Sequence, residues 1–487
     1  MKQILCILLS VLGWTTGMTQ NPYQIKGKVD CENKGIHGVV VSDGKNCVQT
    51  DEQGNYSLNI DNESQFVFIS TPAEYLTEIK ENTIPLFYEP IDRSSDKKYD
   101  FHLKKNPHDD LNHVFFAQAD VQAISSENLD TYHSFQNDYL EQLAAYPNTD
   151  IFGVDCGDIT GDNAQLFPPY IEAVKTLNIP IYRAIGNHDM DYNGRSFETS
   201  HHSFESYFGP TCYSFNKGKV HYIVINNNFY IGREFYYIGY IDEKTFQWIE
   251  KDLSFLEKGS PLVIVMHIPT RLTEKQQPFQ FDYNTLADQT VNAEAFHQLI
   301  QDHPTHIISG HMHYNLNICY NDRLMEHNTA AICGTWWCSD ICLDGTPRGY
   351  GIYQVNGNQL TWKYKCIGKP DNYQARVYLP GASQEYPQAI IANVWNWDEQ
   401  WKVEWMEDGK VMGEMTQFTA FDPLAEKICN KAAQTYSWIA PVKTNHLFKA
   451  IPKNPQAQIS VKITDRFGHE YLQPAEDFSS TLLQLNN

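Results

Sequence analysis

The sequence predicts a central α/β unit, a layered sandwich of mixed sheets with flanking helices, carrying one β-sandwich before it and another after it. Three observations carry that prediction. At 487 residues the chain exceeds what one hydrophobic core usually serves. Between about residues 111 and 353, short apolar runs alternate with segments of helical periodicity, the pattern of layered α/β domains. Before residue 103 and after residue 368 the period falls to two, broken by Asp-Gly and Gly-Asn turns.

Taken in order, residues 1–19 read as a secretory signal: Lys2 supplies a positive end, residues 4–12 an apolar run, and residues 15–19 small side chains suited to cleavage. The run is too short to cross a bilayer, and no later stretch approaches the roughly 20 apolar residues a membrane helix needs. No membrane span is therefore expected, and the mature chain is expected to be periplasmic or secreted, processed near residues 17–20. Residues 20–105 form the first β-sandwich: Val39 and Val41 alternate, as do Tyr56, Leu58 and Ile60, around Asp43-Gly44 and Gly54-Asn55 turns. This segment resembles the carboxypeptidase regulatory-like domains placed ahead of secreted catalytic domains. The polar stretch at 104–110, with Pro107, is the expected linker.

Residues 110–366 make the central unit, with strands expected at 113–119, 151–156, 179–185, 220–226, 261–266 and 306–309. Tyr132, Phe135, Tyr139, Leu140 and Leu143 recur at helical spacing, as do Phe246, Ile249, Leu253 and Leu256, and both stripes are expected to face the core. Residues 368–487 return to strands, where Trp401, Val403 and Trp405 alternate before an Asp408-Gly409 turn and Ile459, Val461 and Ile463 alternate near the end. The tryptophans at 395, 397, 401 and 405 read as packing anchors in preference to a carbohydrate platform.

Composition excludes several classes. Apolar residues at 42% and charged residues at 20% are ordinary for a globular chain and rule against disorder. The 59 acidic against 37 basic side chains give a net charge of −22, which opposes a nucleic-acid polymer as partner. Of 11 cysteines, Cys6 lies in the apolar leader, and the others form no pair of Cys-x-x-Cys clips, so no structural zinc site is expected. Cys31 with Cys47, and a pair among Cys333, Cys338 and Cys342, are the disulfide candidates in an oxidising compartment.

Nearly every central strand ends in a metal-capable side chain, which is where open α/β sheets present their sites. The first gives Asp120-Val121-Gln122, the second Gly157-Asp158, the third Gly186-Asn187-His188-Asp189, the fifth His267 and the sixth Gly310-His311-Met312-His313. A single Gly-Asp or Gly-His pair carries no signal. Five strand ends bearing such groups in succession point to a metal site.

These residues resemble the signature of the calcineurin-like metallophosphoesterases over about 240 residues, from 111 to roughly 353. The Gly-Asn-His-Asp and Gly-His-x-His elements are its specific parts. The resemblance implies two divalent or trivalent metal ions, Mn, Zn, Fe or Mg, bridged by Asp158. It implies that Asp120, Gln122 and His313 complete one site and Asn187, His267 and His311 the other. It further implies that His188 faces the substrate and that Asp189 is positioned to orient it. Gln122 departs from the Asp-x-His form common in the family, and a carboxamide oxygen should favour metals content with oxygen ligands. Two such ions activate water and hold phosphoryl oxygens, so an anionic ester binds despite the acidic surface.

A second stretch, residues 334–338 followed by 344–350, is dense in Gly and Pro and reads as loops. Similar segments line the substrate side in secreted relatives, which implies that Trp337 and Tyr350 contact the leaving group. The expected function is an exported phosphoesterase acting on a small phosphorylated substrate, glycan-linked and lipid-linked esters included. A nucleotide-type pyrophosphatase is the competing enzyme. A glycan-binding surface protein with a vestigial catalytic domain is the competing class, disfavoured by the intact ligand set.

Overall fold

The computed structural model describes residues 23–233, 236–275 and 280–478. The expected signal segment lies outside the described residues.

Two mixed sheets form the centre. Strands β1 (Asn112–Gln118), β2 (Asp150–Asp155) and β3 (Ile181–Arg183) run parallel in the first. The second sheet contains β4 (Tyr213–Lys217), β5 (Val220–Val224), β6 (Leu262–Val265), β7 (Thr305–Ser309), β8 (Leu316–Asn321) and β9 (Leu324–Asn328), in the order β4-β5-β6-β7-β9-β8. Strands β10 (Gly349–Asn356) and β11 (Gln359–Cys366) then return to the first sheet, β10 pairing antiparallel with β1. Strand β3 is shorter than expected because Ala184 and Ile185 already lead into the following loop.

The pleat of β1 explains the layering. Phe115 and Ala117 point to the core between the sheets, where Phe152, Tyr222 and Tyr353 meet them. Val114 and Phe116 point the other way, onto Tyr132 and Tyr139 of helix α1 (Ser126–Ala145) and the neighbouring helix α2 (Phe167–Val174). On the outer face of the second sheet, α3 (Glu243–Leu253) and α4 (Ala293–Ile300) bury Trp248, Ile249, Phe296 and Ile300. Strands buried on both faces read as near-continuous apolar runs, as β6 does with its wholly buried Leu-Val-Ile-Val.

Sheets flank this unit on both sides. In the first, Gln24–Cys31 pairs antiparallel with Asn55–Asn59 and parallel with Phe101–Lys105. Its Thr83 carbonyl accepts from the backbone N–H of Ile181 at 2.8 Å and from the buried Arg183 guanidinium at 3.2 Å, which docks it on β3. After β11, two four-stranded sheets enclose Val377, Ala392, Val403, Val461 and Ile463. The Asp408-Gly409 turn joins two of their strands with φ of +49° and +78°, the positive pair a tight hairpin requires. Of the four tryptophans, Trp395 and Trp401 are buried and Trp397 and Trp405 pack against the core.

The C-terminal β domain holds one further element, and one expectation needs correction. A helix, α5 (Pro423–Ala432), interrupts the C-terminal strands, its N-terminus capped by Asp422, which accepts from the Leu424 and Ala425 N–H groups at 2.9 Å each. The expected disulfides are not formed: the ten cysteines among the described residues are free thiols. They are turned to separate partners, Cys47 to Ser42 Oγ and Cys342 to the Ala331 carbonyl, while Cys338 is exposed. No helix among the described residues is long and apolar enough to cross a membrane.

Candidate metal centre

The candidate ligands sit on sharp turns at the strand ends. Asp120, Gln122, Asp158, His311 and His313 all have positive φ, between +39° and +73°. Each non-glycine in that region costs about 1–2 kcal/mol. Such conformations persist where the surroundings over-determine them, and they concentrate at functional sites. Here the strand ends lock one another: Asp120 N–H donates to the Gly157 carbonyl at 3.0 Å, Gln122 N–H to the Asp158 carbonyl at 2.7 Å, and Gly310 N–H to the His267 carbonyl at 3.0 Å. The motif glycines serve close approach. A Cβ on Gly186 would fall 2.1 Å from Asp158 N, and one on Gly310 would fall 2.8 Å from Asp120 Oδ2.

The turns bring the side chains together. Donor atoms of Asp158, His267 and His311 all lie within 4.8 Å of one another. His267 Nε2 is 3.2 Å from Asp158 Oδ2, 3.0 Å from Asn187 Oδ1 and 3.1 Å from His311 Nδ1. Gln122 Nε2 is 3.1 Å from the same Oδ2, and Asp120 Oδ1 is 3.7 Å from His313 Nε2. Asp158 Oδ2 is thus close to both Gln122 and His267, while Asp120 and His313 pair with each other. His267 Nδ1 lies 2.8 Å from the Cys156 carbonyl, so it carries a proton and Nε2 is the atom turned to the site; burial would lower the ring's pKa, but Asp158 raises it to about 9. Gln122 turns its amide nitrogen to Asp158 and its oxygen toward Cys333 Sγ at 3.9 Å, so liganding through oxygen requires the amide to rotate.

The charges fit cations. Asp120 and Asp158 are 0% and 1% exposed, and their ion-pair partners among the described residues are histidines. Burial raises the Asp120 carboxyl well above the usual range, and the neighbouring Asp158 adds to the rise. For Asp158 burial acts the same way, but His267 and then His188 more than offset it and hold the carboxyl low. Burial depresses His313 to about 3 and His311 well below its ordinary value, so both are neutral and available as ligands. Two buried carboxyl groups beside imidazoles and a carboxamide are a donor set that divalent ions suit.

His188 stands at the rim, its Nε2 4.0 Å from Asp158 Oδ2. The residue that orients it is Asp162, whose Oδ1 lies 2.6 Å from His188 Nδ1, and not Asp189 as expected. The Asp189 carboxylate instead accepts from the N–H groups of Ile159, Thr160 and Gly186 at 2.9–3.1 Å, tying the Asp158 turn to the Asn187 turn. Burial would lower the His188 pKa, but Asp158 and Asp162 raise it to about 9. Asp162 follows Asp158 by four residues, and that second acid was the available signal.

The expected substrate contacts also need correction. Tyr350 is fully buried, its ring 4.0 Å from that of Tyr139 and its hydroxyl donating to Asp138 at 2.8 Å. As the second residue of β10 it shares the outward face with Ile352, so it packs under α1. Trp337 donates from Nε1 to the carbonyls of Val121 and Gln122 at 3.1 and 3.2 Å and stacks on Phe135, so it buttresses the Gln122 turn from behind. Its neighbour Trp336 lies instead against His313, with ring centroids 4.3 Å apart.

Three family models match the chain: the N-terminal domain of calcineurin-like phosphoesterases over residues 23–106, calcineurin-like phosphoesterase over 100–315, and the C-terminal domain of calcineurin-like phosphoesterases over 326–471. No curated protein matches the sequence. Among solved structures, a dimetal phosphatase from Danio rerio is 14% identical, with a TM-score of 0.39 over 53% of this chain and 97% of its own. A purple acid phosphatase from yellow lupin is 12% identical, with a TM-score of 0.37 over 69% of this chain and 68% of its own. A 5'-nucleotidase from Candida albicans is 13% identical, with a TM-score of 0.30 over 53% of this chain and 51% of its own.

Proposed function

We propose, because this chain belongs to the calcineurin-like phosphoesterase family and is a metal-dependent phosphoric ester hydrolase, that it is an exported enzyme cleaving a small phosphate monoester or diester with water activated at two metal ions. The observation that carries the reading is the buried Asp158, whose Oδ2 lies 3.1 Å from Gln122 Nε2 and 3.2 Å from His267 Nε2. Asp120, Gln122 and His313 would hold one ion and Asn187, His267 and His311 the other, with Asp158 common to both. Bound there, two divalent ions lower the pKa of water and neutralise phosphoryl charge.

The chain's own residues then do the rest. Asp162 fixes the His188 ring by its Nδ1, which leaves Nε2 turned toward the shared carboxylate and able to give a proton to a departing alkoxide. Six of the seven ligands are buried while His311 and His188 are half-buried, so substrate enters on the side of these two histidines. Export rests on the leader pattern of residues 1–19 and places the enzyme in the periplasm or outside the cell. Mass spectrometry of the mature N-terminus should find it near residues 17–20, and retained Met1 would refute export.

The test of the activity is a side-by-side assay on p-nitrophenyl phosphate, bis-p-nitrophenyl phosphate and a nucleoside diphosphate sugar, with Mn, Zn, Fe, Mg or no metal. A phosphate monoester or diester should be the best substrate, only with metal, and Asp158→Asn should abolish turnover. Preference for the diphosphate would replace the reading with a pyrophosphatase, and full activity of metal-replete Asp158→Asn would remove the shared-ligand centre.

A further inference from the structure

The loop that follows the last histidines is gripped by the C-terminal domain. The Trp336 indole stacks on the His313 imidazole at 4.3 Å between centroids and 23° between planes. It also packs against the apolar cluster of Leu343, Cys429, Ala432 and Ile439, to which α5 contributes Cys429 and Ala432. The backbone is held along the same line: Leu343 N–H donates to the His313 carbonyl at 3.2 Å, and Val442 N–H donates to the Leu343 carbonyl at 3.1 Å. Residue 442 lies in the C-terminal domain, so a two-bond ladder runs from that domain to the main chain of His313.

Beneath this ladder lies a buried polar latch. Asp344 is fully buried; its carboxylate accepts from Asn315 N–H at 3.0 Å and Thr346 Oγ1 at 2.7 Å and lies 3.0 Å from His446 Nε2. Asn393 Nδ2 donates to the Asp344 carbonyl at 2.8 Å, and Arg376 to the Gly345 carbonyl at 2.8 Å. Gly345 packs so closely that a Cβ there would fall 2.4 Å from Asp422 Cγ, at the cap of α5. Meanwhile Gly334, Trp336, Trp337 and His313 all have positive φ, between +43° and +64°. A non-glycine backbone in that region keeps its shape only when its surroundings force it.

We propose that the C-terminal domain is a working part of the metal centre, with Trp336 as the positioning residue that holds His313 in its liganding orientation. The proposal rests on His313 being a metal ligand, the reading given above. Groups that orient a metal-binding histidine typically change metal affinity by about 10- to 100-fold when removed.

The experiment is calorimetric titration of the metal-free full chain with Mn²⁺, checked by elemental analysis, on Trp336→Leu, Trp336→Phe, His446→Ala and His313→Ala. Trp336→Leu keeps the apolar cluster filled while removing the aromatic face, and His446→Ala loosens the latch remotely. Both should weaken one of the two Mn²⁺ sites by about 10-fold or more and leave the other unchanged, with Trp336→Phe close to the unaltered protein. Wild-type affinity at both sites in both Trp336→Leu and His446→Ala overturns the proposal, provided His313→Ala loses one ion. If His313→Ala itself keeps both ions at full affinity, the ligand assignment fails, and the proposal with it. Should Trp336→Leu not fold, His446→Ala decides on the same readout.

Discussion

His188 and its two neighbouring acids divide their work by geometry. Asp162 touches the imidazole, whereas Asp189 spends its carboxylate on three backbone N–H groups. If His188 is the proton donor, His188→Ala should cost roughly 10² to 10⁴ in rate on an alkyl phosphate and far less on a p-nitrophenyl ester, whose phenolate leaves unaided. Asp162→Asn should shift both rates in the same direction by a smaller factor. Steady-state rates on the two esters, with bound metal matched, check this, and equal losses on both would reject the proton-donor role. Asp189→Asn should act on stability, because a buried acceptor of three bonds is weakened, at about 1–3 kcal/mol in denaturant unfolding. Gln122→His should leave an active enzyme whose best activating metal has changed, since an imidazole replaces a carboxamide oxygen. An unaltered metal profile would place Gln122 outside the coordination sphere.

At the scale of the element, the turns after the strands matter more than the strands. Gly186 and Gly259 both lie in turns, yet their surroundings differ. A Cβ on Gly186 meets the backbone N and carboxylate of Asp158 at 2.1 Å, whereas one on Gly259, at φ +85°, meets nothing within 4 Å. Gly259→Ala should therefore cost only the backbone strain, about 1–2 kcal/mol. Gly186→Ala must displace a ligand-bearing turn that cannot yield without moving Asp158. It should lose bound metal, and overpacking should lower stability by about 1–3 kcal/mol or more. Melting curves with metal analysis separate the two: loss of metal in Gly259→Ala, or its retention in Gly186→Ala, would contradict this account.

At the scale of the molecule, the seam between the second sheet and the C-terminal domain holds a pair of neutral histidines. His306 Nδ1 lies 2.9 Å from His327 Nε2, and His327 Nδ1 lies 2.9 Å from Asn317 Oδ1. Facing them is Arg466, paired with Asp398 at 2.8 Å and laid over Trp362. Burial and then Arg466 depress His306 to about 4, and burial and then His306 depress His327 well below its ordinary value. Below an ordinary histidine pKa of about 6.5, the unfolded chain takes up protons that the folded chain refuses. Stability is thus complete above that pH and falls as pH drops from about 6.5 toward 4, by at most about 1.4 kcal/mol per pH unit for each histidine. Denaturant midpoints of the metal-free protein at pH 7, 6 and 5 should show the slope, and His306→Gln should remove part of it. A slope unchanged in that variant would assign the acid sensitivity elsewhere.

The sequence alone determined the fold class and the identity of the clustered donors. Alternating periods mark buried strands and amphipathic helices wherever they occur, and strand ends of an open sheet converge on one edge whatever joins them. Asp120, Gln122, Asp158, His267, His311 and His313 stood out for that reason, each following an apolar run, whereas the choice of Asn187 over His188 and Asp189 came from the family resemblance. Only the tertiary structure decided what depends on which face meets which. Tyr350 went to the core because the pleat of β10 places it beside Ile352 under α1. Trp336, and not Trp337, came to rest on His313 because adjacent residues in a left-handed turn point apart, and because α5, more than 85 residues later, supplies the surface behind it. Period and motif are local properties of a chain, while the partner of a side chain is fixed by packing between segments that the sequence keeps far apart.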